Sequence, residues 1–403
     1  MSKNIKKQSV AAIGTGPWNE VWKRLRADRQ AMPALLMLAI LLGMAIAAPL
    51  LANPRPLLEY TPSHGWQMPF LRSFFAPEST EYIIEQLFNY MFLALLLTVP
   101  LAKLLKKIPF RRIIMIIILL LLSLPFILTK PKLERVNYRN TAVEAGGFRI
   151  MAPLPYGPFE QISTPLAPPG SRHLLGCDEL GRDLAVRIIY GSRISLAVGI
   201  IATALAMIIG IIVGVTCGFR GGWVDILIMR AVEILMCFPV FLLLLIIMAS
   251  FQERKFEQSI LAVIGVIAIT GWIGMAQITR GEVLKQRSMI YIQAAKTAGT
   301  PDWAIIFRHI LPNIAGTILI TFSFSAAGAV LAESSLSFLG FGVQPPTASW
   351  GGMLRASFSD PLSSWHLTFF PGLMLFWTVS AFNLLGEGLR KAFDPKKQYS
   401  SHQ

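Results

Sequence analysis

Eight predominantly apolar stretches of 17 to 26 residues contain no Asp, Glu, Lys or Arg: 30–54, 86–102, 113–129, 194–219, 234–252, 258–279, 310–332 and 361–386. A helix crossing the hydrocarbon core of a bilayer needs about 20 such residues. The chain therefore reads as an all-α polytopic membrane protein with eight spans. A composition of 54% hydrophobic and 15% charged residues, with mean hydropathy +0.57, excludes a soluble globular class.

Charge orients the spans. Residues 1–31 carry Lys3, Lys6, Lys7, Lys23, Arg24, Arg26 and Arg29, and Lys103, Lys106, Lys107, Arg111 and Arg112 separate the second and third runs. With the N-terminus inside, the segments 1–31, 103–112, 218–233, 280–309 and 387–403 hold 23 Lys+Arg and 8 Asp+Glu, while the rest of the chain holds 14 of each. The whole formal charge of +15 then lies on the cytoplasmic side, which follows the positive-inside rule and removes any argument for nucleic acid. The expected order is a cytoplasmic segment 1–31, a first span 32–54, an external segment with a membrane hairpin over 55–129, an external loop 130–193, a transmembrane core 194–386 and a cytoplasmic tail 387–403. Ala47-Ala48 resembles a signal-peptide cleavage site, but the long basic leader and long apolar run favour an uncleaved anchor.

Catalytic signatures are lacking. No Gly-Lys dipeptide occurs, so no P-loop is present, and His64, His173, His309, His366 and His402 have no ligand spacing. Cys177, Cys217 and Cys237 form no disulfide framework. No catalytic residue, metal ligand or bound cofactor is expected.

The charged stretch 288–312 lies between two apolar runs. Tyr291, Ala294, Ala295 and Ala298 recur at helical spacing, so the first helix should carry a face of mostly small side chains. Gly299 stands where a left-handed residue ends a helix. Thr300 and Pro301 read as an N-cap and first helical position, with Asp302 favourable against the helix dipole. The second helix repeats the spacing with Trp303, Ile306, Phe307 and Ile310, and Pro312 marks its expected end.

Gln293-Ala294-Ala295, Gly299 and Leu311-Pro312 resemble the cytoplasmic motif of type I ABC importer permeases, E-A-A, three residues, G, and an L-P pair twelve residues beyond. Gln293 stands where the family usually has glutamate, and His309 where isoleucine is common. The resemblance implies that 288–312 is the coupling hairpin that docks on an ATP-binding subunit. A second segment, His173 through Asp178, Gly181, Arg182, Asp183 and Arg187 to Ser195-Leu196, resembles the stretch before the first core span in the dipeptide, oligopeptide and nickel branch. Its charges should form an ion-paired elbow at the outer face, either as a contact for a binding protein or as a structural cluster. The run from Glu333 and Ser334 through Gly340, Gly342, Pro345, Trp350 and Gly351 to Met353 resembles the external loop of the C-type subunit in that branch. Its glycines and prolines suggest a compact non-helical gate loop. Leu389 to Pro395 resembles that branch's tail, while the hairpin 86–129 departs from the common six-span plan.

Together these similarities imply a bacterial inner-membrane permease with both termini cytoplasmic. Its implied partners are a second related permease, two ATP-binding subunits carrying ATP and Mg, and an extracytoplasmic binding protein. Small peptides are the implied cargo, with nickel as the alternative. An ion-gradient-driven transporter predicts mid-depth ionisable residues and an inverted repeat, and the sequence shows neither clearly. Arg230 and Glu233, at i and i+3, should pair, and Phe238-Pro239 should kink the following span.

Overall fold

The computed structural model describes residues 17–75, 81–104, 106, 111–128, 138, 139, 141, 146–252, 259–358 and 360–394. Residues 1–16, most of the basic turn after Leu104, parts of the external loop and the tail beyond Asp394 lie outside the described residues, and with them several expected charges.

The chain is predominantly helical. Helix α1 (Pro17–Ala27) meets α2 (Ala31–Ile46) at 93°, and a single turn, α3 (Ala48–Leu51), ends the first apolar run. Strands β1 (Leu58–Thr61) and β2 (Gly65–Gln67), helix α4 (Leu71–Phe75) and the hairpin α5 (Tyr82–Leu104) and α6 (Arg111–Leu128) follow. After β3 (Phe148–Ile150) come α7 (Leu184–Ala197), a π-helical turn Val198–Ala202 and α8 (Thr203–Arg220), then α9 (Gly222–Met236) and α10 (Val240–Gln252). The remainder is α11 (Ser259–Arg287), α12 (Ile290–Thr297), α13 (Asp302–Ile305), a π-helical turn Ile306–Ile310, α14 (Leu311–Leu339), α15 (Trp350–Ser357) and α16 (Trp365–Phe393).

Among the described residues, five helices are long and apolar enough to cross a membrane, or up to seven if each bent pair, α1 with α2 and α9 with α10, makes one span. The run 113–129 supplies only a shorter apolar helix, Ile113–Phe126. The 81° break between α9 and α10 falls at Pro239, the expected kink, where the missing N–H and the ring's bulk disfavour a continuous helix. Helix α7 begins ten residues before the uncharged run, because Asp183 caps it by accepting from the Val186 N–H at 3.0 Å.

Helix α8 places Gly210, Gly214 and Gly218 on one line against α11. A β-carbon at Gly214 would lie 2.6 Å from the Ala276 carbonyl oxygen, and one at Gly218 would lie 2.8 Å from Val283 Cβ. The two backbones therefore touch through a glycine row, the close packing that lipid-embedded helices use in place of hydrophobic drive. The main core gathers Leu41, Ile188, Val198, Ile264, Val330, Trp350 and Phe382 from α2, α7, the first π turn, α11, α14, α15 and α16. At the other end, Asp28 Oδ1 accepts from the Gln30 and Ala31 N–H groups, and Lys391 Nζ lies 3.4 Å from Asp28 Oδ2, tying the entry of α2 to the end of α16.

The segments 58–67 and 148–150 also form a three-stranded antiparallel sheet, ordered β2-β1-β3, which the all-helical expectation missed. Glu59 of β1 faces Arg149 of β3, and the two are joined by Nη2–Oε1 at 2.6 Å. Strands 90 residues apart leave no local pattern to read.

Candidate functional site

The stretch 288–312 folds as two helices with a sharp corner. Gly299 takes φ +77°, the Thr300 N–H donates to the Ala295 carbonyl at 3.0 Å, and the Gly299 N–H donates to the Lys296 carbonyl at 3.1 Å. That pair of bonds is the glycine-ended helix stop expected at this position. A β-carbon on Gly299 would meet nothing within 4 Å, so only the backbone conformation demands glycine here.

Two local expectations change. Pro301, in an extended conformation, is the N-cap, and Asp302 opens α13. Pro312 does not end the helix: α13, the π turn and α14 run as one 38-residue helix from Asp302 to Leu339. The wider π turn at 306–310 ends two residues before the proline and contains Arg308, whose carbonyl an α-helical turn would bring against the proline ring.

Side-chain placement divides the hairpin. Ile292, Ile305 and Ile310 are buried with Val215, Phe219, Val283 and Ile314, so α12 and α13 are seated on the ends of α8, α11 and α14. Pointing away are Ile290, Trp303 and Phe307, which are 84%, 68% and 67% exposed. Ala294 and Ala298 are exposed and Ala295 half-buried. Tyr291 links three elements: its hydroxyl donates to Gln286 Oε1 at 2.6 Å and accepts from Asn313 Nδ2 at 2.7 Å. Gln293 is exposed, and its Nε2 donates to the Ser288 carbonyl at 3.3 Å, a bond that a glutamate, lacking a donor, does not form.

The outer motifs come together and turn inward. Asp178 Oδ2 accepts from Arg182 Nε at 2.7 Å and lies 3.1 Å from Arg187 Nε, while Oδ1 accepts from the Leu180 and Arg182 N–H groups at 2.9 Å. Asp183 stands apart from that pair, capping α7 and meeting His173 Nδ1 at 2.9 Å. Asp178, Arg182, Asp183 and Arg187 are all buried. The elbow's charges thus find their partners within the chain. Gly181, at φ +73°, passes so close to Ser163 that a β-carbon would lie 2.1 Å from its carbonyl oxygen. Cys177, buried beneath these carboxylates, has its thiol pushed up to about 11, first by desolvation and then by Asp183.

Glu333 and Ser334 belong to the last two turns of α14, not to a loop, and Trp350 and Gly351 open α15. The non-helical part is 340–349, shorter than the motif suggested: the Phe341 and Gly342 N–H groups still donate to Leu336, and Ser349 caps α15. Glu333 is fully buried and accepts from Ser195, Ser334 and Ser337 hydroxyls at 3.3, 3.2 and 2.8 Å. A β-carbon at Gly342 would lie 2.1 Å from Ser337 Oγ, and one at Gly351 would lie 2.3 Å from the Ser334 carbonyl oxygen. Arg187 Nη1 donates to the carbonyl of Pro346, which follows Pro345, and Trp350 Nε1 donates to the Ile188 carbonyl. Elbow and loop, separate motifs in the sequence, are one packed unit.

Two features escaped sequence reasoning. Arg280 Nη2 donates to Asp225 Oδ2 at 2.6 Å, joining α9 to the helix that leads into the hairpin. A cavity of about 220 Å³ lies among α8, α10, α11 and α14, lined by Thr203, Met207, Leu244, Thr270, Ser325 and Ala329 among others and by no charged side chain. Arg230 and Glu233 do pair, at 2.6 Å and exposed. Among the described residues, no group of three His, Cys, Asp or Glu side chains forms a metal-binding cluster.

Residues 206–399, which include the hairpin and the outer loop, match the family model for the binding-protein-dependent transport system inner membrane component. The glutathione transport system permease protein GsiD of Pectobacterium atrosepticum is 42% identical over 228 residues, covering 57% of this chain and 74% of that protein. The chain belongs to this permease family. Residues 16–69 of the permease match the N-terminal transmembrane domain of oligopeptide transport permease C. The dipeptide and oligopeptide transport system permease proteins DppC and OppC of Bacillus subtilis are each 41% identical, over 57% of the permease and 70% and 73% of their own lengths. The chain is therefore a C-type permease component of an ABC importer, a multi-pass inner-membrane protein whose relatives are transport permeases and not enzymes.

Proposed function

We propose that this permease forms half of the pore of an importer for small peptides, paired with a second related permease, two ATP-binding subunits and an extracytoplasmic binding protein. The observation that carries the proposal is the outward face of the hairpin: Ile290, Trp303 and Phe307 project from a segment whose inner face is fixed in the protein, an arrangement suited to seating in a partner's groove. ATP and Mg are held by the ATP-binding subunits, and closure of those subunits moves the hairpin. Because α11 and α14 flank the hairpin, the movement passes to the spans around the uncharged cavity. The names of the relatives, which specify glutathione, dipeptides and oligopeptides, support the substrate class. A wall without fixed charge admits peptides of different side chains and leaves discrimination to the binding protein. In this reading the chain crosses eight times, with the hairpin α5–α6 counted as two spans and the bent α9–α10 pair as one, and both termini and the coupling hairpin lie in the cytoplasm. Uptake of a radiolabelled dipeptide into proteoliposomes holding the full complex tests this reading. Accumulation that requires ATP and the binding protein is expected, and accumulation driven by an ion gradient alone contradicts it.

A further inference from the structure

The hairpin α5–α6 is the part of the chain that departs from the six-span plan, and its first described residue touches the outer loop through one intermediary. Glu81 immediately precedes α5 and is 1% exposed. Its Oε1 accepts from the Ser259 hydroxyl at 2.6 Å and from the Ile260 N–H at 3.2 Å, both at the start of α11. The same Ser259 Oγ accepts from the Gln344 N–H at 3.0 Å, and Gln344 lies in the 340–349 loop. Gln344's own side chain closes that loop internally, donating to the Gly340 and Gly342 carbonyls at 3.2 and 3.0 Å.

The chemistry of the chain of bonds is directional. A serine hydroxyl has one proton and a freely rotating O–H. A carboxylate 2.6 Å away fixes that proton toward itself, which turns a lone pair toward the Gln344 N–H. Without Glu81 the hydroxyl is free to rotate and satisfy a nearby carbonyl instead, and the loop loses an acceptor at a half-buried backbone N–H.

We infer that Glu81 is a positioning residue for the outer loop: through Ser259 it holds Gln344, so that the inserted hairpin sets the loop's resting position at the mouth of the pathway. The inference rests on the reading of 340–349 as part of the outer mouth.

The test uses the assembled transporter in sealed proteoliposomes, with a cysteine introduced by Val343→Cys at a buried loop position and an impermeant maleimide added outside; labelling of the complex lacking Val343→Cys is subtracted. Ser259→Ala breaks the link while leaving the Ile260 bond to Glu81, so the hairpin stays docked. Glu81→Ala breaks both bonds, and Glu81→Gln keeps an acceptor oxygen. Labelling is expected to rise several-fold, up to roughly tenfold, in Ser259→Ala and Glu81→Ala and to stay within about twofold of the parent in Glu81→Gln, since loss of one half-buried hydrogen bond shifts a local opening by about 1 kcal/mol. Unchanged labelling in Ser259→Ala overturns the inference, as does an equal rise in Glu81→Gln. Peptide uptake by the same vesicles reports separately on the mouth assignment: labelling that rises with uptake unaltered keeps the positioning role and removes the gate reading.

Discussion

The hairpin 288–312 and the unit of elbow and 340–349 loop both carry family motifs, yet they treat their side chains in opposite ways. In the hairpin, Trp303 and Phe307 are two-thirds exposed and the Gln293 side chain donates to a carbonyl of its own segment. In the unit formed by the elbow and the 340–349 loop, Asp178, Arg182, Arg187 and Glu333 are buried, and each finds partners inside the chain. Exposed aromatic anchors on a fixed backbone are what a docking element needs, whereas buried, mutually bonded charges are what a frame needs. Motif density alone does not separate docking from framework; the direction in which the side chains turn does.

The contrast is sharpest at Asp178. Asp178→Ala leaves two buried guanidinium groups without their shared carboxylate, and the expected loss is about 3–5 kcal/mol, read as a lowered unfolding temperature of the purified complex. Retention of full stability would mean that the outer cluster is not a frame. Gly299→Val acts differently. The added β-carbon meets nothing within 4 Å, so the main cost is holding a β-branched residue at φ +77°, about 1–2 kcal/mol. Membrane insertion should persist while ATP hydrolysis loses its dependence on substrate delivery, and normal uptake of labelled peptide by this variant would sink the coupling role. Smallest is the effect at Cys177. A thiol raised to about 11 from an ordinary 9 binds its proton more tightly in the fold, so thiolate forms only as the pH nears 11. Maleimide at pH 8 should spare Cys177 in the folded complex and modify it once the complex is denatured; equal rates in the two states would place the elbow at the surface.

Much of this was legible where chemistry is local. The left-handed corner at Gly299, the Arg230–Glu233 pair and the break at Pro239 follow from residue type and spacing. Pro312 misled because a proline's usual effect on a helix was relieved by the π turn before it, which leaves no mark in the residue pattern. The glycine row on α8 was readable as a spacing but says nothing of α11 until the two helices meet. The 178 residues between Glu81 and Ser259, and the 90 between Glu59 and Arg149, put those bonds beyond any local rule. Asp183 could be seen as a charge beside Arg182, yet capping α7 and holding His173 are tertiary outcomes.

The central claim is that the outward face of the hairpin is the seat of the ATP-binding subunits. The double variant Trp303→Ala, Phe307→Ala tests it most directly, because both side chains are exposed and their removal should change the permease's own stability by no more than about 0.5 kcal/mol. Affinity purification of the tagged permease, with the co-purifying ATP-binding subunits quantified against it, is the measurement. The account predicts at least a tenfold drop in that ratio at unchanged unfolding temperature of the permease. An undiminished ratio contradicts it.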